Sequence, residues 1–456
     1  MSDTGNTITT TTSHDPVRAA ALEAIGQIEA GQEADAAIRK VAQGKSLKPL
    51  DVRFLTQLVN GTVKMRRRLD HEIKFYLARP SVPLPPVLAN ILRLGFYQLI
   101  FTDRVPAAAA VSESVNLARK FTDVSQAKLV NAVMRSRLRE PEKVSFADKD
   151  ENPWKYLGDL YSYPDYFVRY CLDEFGIENT ERLLAAYNRP PSVTYRVNYL
   201  KAKPDDVAAI LRQNGIEFIP GKYLPEYFRL QSSGLPLEKE LIETGLVFVQ
   251  DESSGLPVRL LNPKQGDNVV DLTAAPGGKA THTAVRMRNK GMVTAVDKSR
   301  QRLELVVENA RRLGIKIISP VACDMTEFTG GPFDRVLLDP PCSGWGTARK
   351  HADLRWAKSE SDIANMAKVQ AKMIDRAARL VKPGGLLVYS TCTIIRSEND
   401  QIVENFLLRN DQFEIDSAAQ FLPHELVNER GFVKTYPEFD ELDGSFCVRL
   451  KRKLNS

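Results

Sequence analysis

DLTAAPGGKA, at Asp271–Ala280, is the stretch whose reading decides the fold. It ends an apolar, β-branched run and leads into a helical pattern. LDPPCSG at Leu338–Gly344 and VYSTCT at Val388–Thr393 occupy equivalent places at the ends of their own apolar runs. Strands deliver residues in this way to the carboxyl edge of an open α/β sheet, where such folds bind ligands. Two of the five cysteines, Cys342 and Cys392, would meet at that edge.

Working outward, strand and helix patterns alternate regularly from Asn268 onward, which argues a parallel, Rossmann-like α/β sheet. The strand candidates are NVVDLTA from Asn268, Gly291–Asp297, Ile315–Asp324, Phe333–Asp339, Gly385–Cys392 and Ser445–Arg452. Helix candidates lie between them at residues 300–314 and 362–381, ended by Gly314 and by a Pro383-Gly384-Gly385 turn.

The Ala274–Lys279 loop reads as a cofactor loop. Two glycines, Gly277 and Gly278, let backbone pass close to a ligand without a Cβ clash. Asp297 ends the second strand, where an acid holds a ribose hydroxyl pair. Asp324 ends the third, where a carboxylate can accept from an adenine amino group. Together these describe an adenosine ligand. GxGxxG is absent, which excludes a dinucleotide pyrophosphate loop, and Lys279-Ala280 lacks the hydroxyl that a P-loop requires. S-adenosylmethionine is the expected cofactor, and no metal is expected.

The chain has 456 residues, too many for one ordinary core. Hydrophobic residues make up 43% and charged residues 26%, as in soluble globular proteins. No run of ~18 apolar residues is present, so no membrane association is expected. The start, MSDTGNTITTTTSHDP, lacks the apolar core of a secretory signal. Five cysteines without CxxC or Cys/His zinc spacing fit a reducing cytoplasm. Residues 1–139 carry 20 Lys+Arg against 12 Asp+Glu, although the whole chain nets only +6. That local excess suggests a polyanion footprint in the N-terminal third. Its sharpest part is Lys64, Arg66, Arg67 and Arg68, a cluster suited to phosphate contact.

Five regions are expected. Residues 1–14 are polar and read as a disordered tail. Residues 15–140 carry apolar positions at three-to-four spacing, beginning after an Asp15-Pro16 helix start, and read as an all-helical domain. Residues 141–165 read as a linker. Residues 166–250 read as a small α+β subdomain, with strands at Thr194–Leu200 and 216–220 and a helix at Pro204–Gly215 between them. Residues 251–456 form the sheet domain.

The helical region resembles the NusB family of RNA-binding domains. The likeness rests on Leu50–Asp70, Ile91–Phe101, Arg104–Arg119 and Leu129–Glu140. DLTAAPGGKATH, LDPPCSGWGTARK followed by DLRW, and YSTCTIIRSEND resemble the motifs of RNA cytosine-5 methyltransferases of the Sun/Fmu class. The resemblance implies S-adenosylmethionine-dependent methylation of carbon 5 of a cytosine in 16S ribosomal RNA, by a monomeric cytoplasmic enzyme. It implies that Cys392 attacks carbon 6 and that Cys342 assists release of the methylated RNA. It also implies that Asp339 lies between cofactor and base, and that Thr273, Ala274, Ala275, Pro276, Gly277, Gly278, Lys279, Asp297 and Asp324 line the cofactor site.

Such a mechanism needs a thiolate, because carbon 5 of cytosine is a poor nucleophile until a sulfur adds to carbon 6. The family often has cysteine at Thr273, threonine at Ala280 and proline at Ala352; these departures bear on loop shape. Cys171, Cys323 and Cys447 read as packing residues. Two alternatives differ in kind. Enzymes that methylate exocyclic base nitrogens carry an aromatic residue after the double proline, where this chain has Cys342. A non-catalytic RNA assembly factor would not need both cysteines and the strand-end acids.

Overall fold

The computed structural model describes residues 15–231 and 235–454; the expected tail at residues 1–14 lies outside them. The chain forms two compact units. One comprises residues up to Asn188 together with His351–Ala357, and the other comprises Arg189–Lys350 and the residues from Lys358.

The first unit is helical. Its helices span Pro16–Glu29, Ala34–Gly44, Pro49–Lys64, Arg66–Lys74, Pro86–Phe101, Ala107–Phe121, Val124–Arg139, Pro153–Tyr161 and Asp165–Asn188. Asp15 caps the first, its carboxylate accepting from the amides of Val17 and Arg18. Pro16, Pro49 and Pro86 open helices at a position whose N–H would have no partner. Ala20, Ala21, Ala24, Leu55, Leu58, Ile91, Leu92, Val130 and Val133 are fully or almost fully buried in one core.

The stretch expected as a linker, residues 141–165, becomes ordered near Trp154 as the helix Pro153–Tyr161, and the residues up to Asn188 pack with this unit. The returning segment 351–357 also packs here. Arg355 is fully buried, donates to the carbonyls of Ser162 (3.2 Å) and Tyr187 (3.3 Å), and lies 3.9 Å from the Tyr163 ring centroid. Burial pushes its pKa down to about 10. The Trp356 indole donates to the Val63 carbonyl at 2.7 Å.

The basic run is a fastening within this unit more than a free phosphate-binding face. Arg67 donates to Asp159 (2.7 Å), to the Tyr163 carbonyl (2.6 Å) and to Asp165. Arg68 and Arg137 hold the buried Glu72 at 2.7 and 3.0 Å, and the Arg68 guanidinium covers Phe146. Arg66 stacks on Trp356 at 4.4 Å, where burial lowers its pKa. Arg67→Ala should therefore destabilise the chain by about 2 kcal/mol, since it strands charge-assisted partners. Chemical denaturation of the full chain measures this. The salt slope of RNA binding should change little, in contrast to what a phosphate contact would give.

In the second unit, β1 (Thr194–Val197), β2 (Phe218–Pro220), β3 (Tyr227–Leu230) and β4 (Val247–Val249) form an antiparallel sheet in the order β2-β3-β1-β4. The large sheet follows, from β5 (Asn268–Asp271), β6 (Met292–Asp297), β7 (Ile318–Ala322), β8 (Phe333–Leu338), β9 (Val381–Thr391), β10 (Phe413–Ile415), β11 (Val433–Thr435) and β12 (Ser445–Arg452). Its order is β10-β12-β9-β8-β5-β6-β7, with β11 also paired to β12. Strands β5 to β9 pair in parallel, and β12 runs antiparallel to β9. This is the expected Rossmann-like sheet. The Pro383-Gly384-Gly385 turn lies inside β9, where the register with β8 slips between Phe333 and Arg335. The bulge absorbs the residues that read as a helix stop. Val269, Val270, Val293, Val296, Val336, Leu337, Leu387 and Val388 are buried on both faces of the sheet. No described helix is long and apolar enough to cross a membrane.

Candidate active site

Chain order and strand order together locate the site. From β5 the chain moves outward through β6 to β7, then crosses to the other side of β5 for β8 and β9. The loops after β5 and β8 therefore diverge, and the crevice at their carboxyl ends accepts a ligand.

The loop after β5 is fixed by both neighbouring strands. The Leu272 amide donates to the Leu337 carbonyl at 3.0 Å and the Ala274 amide to the Val296 carbonyl at 2.9 Å. Gly277 starts the helix Gly278–Arg286 with φ at 106°, and a Cβ there would lie 3.2 Å from the Val306 Cα, so only glycine is at ease. Asp297 is 7% exposed and accepts from the amides of Ala275 (3.2 Å) and Ser299 (2.9 Å). Each of its oxygens keeps a further lone pair for a ribose hydroxyl. The Cys323 amide bonds to the Asp297 carbonyl at 3.1 Å, which brings the loop of Asp324 alongside. Asp324 lies just beyond β7 and is exposed; Thr326 engages its carboxylate and lowers its pKa. Pro276 is on the outside of the loop, where its carbonyl accepts from Asn309.

Asp339, just after β8, joins the two halves of the crevice. Lys279 donates to its Oδ2 at 2.7 Å, Ser390 to its Oδ1 at 3.1 Å, and the Thr273 hydroxyl to its carbonyl at 2.8 Å. Burial opposes the charge on Lys279, but Asp339, Cys392 and Asp271 outweigh it and raise the lysine's pKa. Thr273, Lys279 and Asp339 thus form one charged cluster beside the cysteines.

Asp271 is 2% exposed, and its Oδ2 has no hydrogen-bond partner among the described residues. Burial, with the charges of Asp339 and Asp297, pushes its pKa up to about 7 despite Lys279. A buried carboxylate with one oxygen unengaged suits a cationic ligand, and S-adenosylmethionine carries both a sulfonium and an ammonium. The residues present therefore fit this cofactor. Below pH 7 Asp271 binds a proton, and above it the ionised form favours the cation. Cofactor binding should accordingly be about tenfold tighter at pH 8 than at pH 6, by linkage. Titration calorimetry measures this, and Asp271→Asn should flatten the profile.

The two cysteines come from adjacent strands. Cys342 follows β8, Cys392 follows β9, and their sulfurs are 3.3 Å apart. Cys392 is exposed and Cys342 half-buried. The hydrogen bond to Cys392, burial, and the charges of Cys392, Glu398 and Asp339 raise the Cys342 pKa well above the usual thiol value. Cys342 is thus held in its protonated form beside the Cys392 sulfur. Close packing enforces the approach. The Gly346 amide donates to the Cys392 carbonyl at 3.0 Å, and a Cβ on Gly346 would strike the Gly444 carbonyl at 1.8 Å. Cys171 and Cys447 are buried packing residues, as expected, and Cys323 is half-buried against the same core as β8.

Residues of the site that reading the chain misses are Ser390, Glu398 and Asn399. Glu398 and Asn399 stand in the quoted stretch ending RSEND, but nothing local reveals their partners.

The sheet, its switch-point loop and the strand-end acids define an S-adenosylmethionine-dependent methyltransferase. Comparison with known proteins narrows that class. Residues 258–451 match the 16S rRNA methyltransferase RsmB/F family, residues 15–139 the NusB family, and residues 163–236 the ferredoxin-like domain of RsmF/B-like methyltransferases. The probable ribosomal RNA small subunit methyltransferase B of Bacillus subtilis is 34% identical, over 96% of this chain and 99% of that one. The ribosomal RNA small subunit methyltransferase B of Yersinia enterocolitica is 33% identical, over 90% and 95% respectively. The crystal structure of PH0851 is 28% identical with a TM-score of 0.78, covering 96% of this chain and 99% of that one. The chain belongs to the RsmB/F family of ribosomal RNA methyltransferases.

Proposed function

We propose that this chain methylates carbon 5 of a cytosine in 16S ribosomal RNA, in the cytoplasm, through a covalent adduct at Cys392; the resemblance to the Sun/Fmu class points to the cytosine numbered 967 in that RNA. The observation that carries the reading is the pair of sulfurs 3.3 Å apart at the end of two adjacent strands, one exposed and one held protonated. Neither an exocyclic-nitrogen methyltransferase nor an assembly factor needs two thiols there.

In this scheme the Cys392 thiolate bonds to carbon 6, and the carbon 5–carbon 6 π electrons move to carbon 5. S-adenosylmethionine supplies the electrophilic methyl group that carbon 5 takes up. A base removes the carbon-5 proton, the double bond re-forms, and the carbon–sulfur bond breaks. Lys279 steadies negative charge at Cys392 and Asp339, and Cys342 is the proton carrier nearest the sulfur that leaves. Asp297 and Asp324 would hold the adenosine, with the Thr273–Lys279 loop around the rest of the cofactor. The cytosine must leave its helix to reach these groups.

The test uses 16S ribosomal RNA carrying tritium at carbon 5 of cytosine, with purified protein and cofactor. One tritium should enter water for each methyl group transferred. Methylation without tritium release would instead indicate a nitrogen target and overturn the reading. Bisulfite sequencing of ribosomal RNA from cells lacking the protein should lose one protected cytosine, which identifies the position.

A further inference from the structure

The loops that carry the two cysteines are fastened by one dipeptide, Glu398-Asn399, which precedes the helix Asp400–Arg409. Asn399 is 2% exposed and brackets Cys392. Its Oδ1 accepts from the Thr391 hydroxyl at 2.5 Å, and its Nδ2 donates to the Thr393 carbonyl at 2.8 Å. Glu398 is fully buried and holds the residue after Cys342. Its carboxylate accepts from the Ser343 amide at 2.8 Å and from the Ser343 hydroxyl. Gln370 completes the fastening, its Nε2 donating to both Glu398 and the Pro341 carbonyl at 2.9 Å. The Ser343 and Thr393 hydroxyls, 2.8 Å apart, tie the two loops directly to each other.

Burying a carboxylate is costly unless its lone pairs are engaged. Here they are engaged by Ser343, directly after the Cys342 thiol, and by Gln370, which also holds Pro341 directly before it. A carboxamide that bonds on both sides of one residue leaves that residue little backbone freedom. Neither side chain is bonded to sulfur, so their effect passes through the backbone.

We propose that Glu398 and Asn399 are positioning residues that set the separation of the two active-site sulfurs, Asn399 through the Cys392 turn and Glu398 through the Cys342 loop. The consequence for turnover rests on the covalent-adduct reading above; the consequence for sulfur spacing does not. Such control matters because sub-ångström misplacement of reacting groups is expensive in rate.

Sulfur spacing has its own readout. Hydrogen peroxide oxidises two neighbouring thiols to a disulfide: an S–S bond forms, two S–H bonds break, and the peroxide is reduced to two waters. Sulfurs already in contact need little movement to reach bonding distance, ~2.05 Å. In the full chain, Asn399→Ala and Glu398→Ala should each slow formation of the Cys342–Cys392 disulfide about tenfold, followed by mass spectrometry. Under the same reading kcat should fall about 100-fold, with the affinity for S-adenosylmethionine and the KM for RNA nearly unchanged. Asn399→Asp, which keeps the acceptor for Thr391, should recover part of both losses. If the alanine variants do not fold, Thr391→Val and Ser343→Ala carry the test, because each removes one hydroxyl of the fastening. Variants that bind cofactor normally yet form the disulfide at the wild-type rate would overturn the proposal. Slowed disulfide formation together with methyl transfer by Cys392→Ala would leave it standing and overturn the covalent reading.

Discussion

Cys392→Ala is expected to lower methyl transfer by at least about 10⁴-fold, as loss of a covalent nucleophile does, while cofactor affinity stays unchanged. The two effects separate because the residues that fit the cofactor lie at the ends of β5, β6 and β7, whereas Cys392 follows β9. The groups around Asp339 keep their mutual bonds without the Cys392 sulfur: Lys279 still reaches Oδ2 and Ser390 still reaches Oδ1. Transfer of radiolabelled methyl to 16S ribosomal RNA and calorimetric cofactor binding are the paired measurements. Appreciable residual transfer by a variant that binds cofactor would remove Cys392 from its assigned place.

Cys342→Ala should have the opposite signature. Attack by Cys392 and methyl uptake at carbon 5 remain possible, but the step that frees the RNA loses its neighbouring thiol 3.3 Å away. Multiple turnover should fall about 100-fold or more, the scale of a lost general acid–base group. A protein–RNA adduct that survives denaturing electrophoresis should accumulate towards one RNA per protein. The double variant Cys342→Ala/Cys392→Ala should form none, which would assign the bond to Cys392. A single variant that turns over normally without adduct would exclude the release role.

Much of the catalytic sheet is legible in the chain because its strands are buried on both faces. Val269–Val270, Val293, Ala295, Val296 and Leu386–Val388 are accordingly apolar, with Thr294 the one polar member of these runs, and the acid or hydroxyl residue that follows each run marks the edge. The short strands β10 and β11 leave no such trace, since three residues cannot establish a period. The extent of the helix inside the stretch expected as a linker is hidden for a related reason: Arg67 fixes it by reaching Asp159 across 92 positions. The same pairing explains why the basic run looks like a phosphate site when read alone, since a charge run does not disclose its partner. Glu398 and Asn399 show the limit most clearly. Asn399 meets Thr391 only eight positions away, yet Glu398 finds Ser343 across 55, and only the pairing of β8 with β9 brings those loops together.

The return of residues 351–357 to the helical unit has a genetic consequence. A gene cut after Asn188 would yield a helical fragment lacking Arg355 and Trp356, with the carbonyls of Ser162, Tyr187 and Val63 deprived of their donors. The two halves of this protein are therefore poor candidates for exchange by recombination: whichever lineage inherits one must inherit a piece of the other.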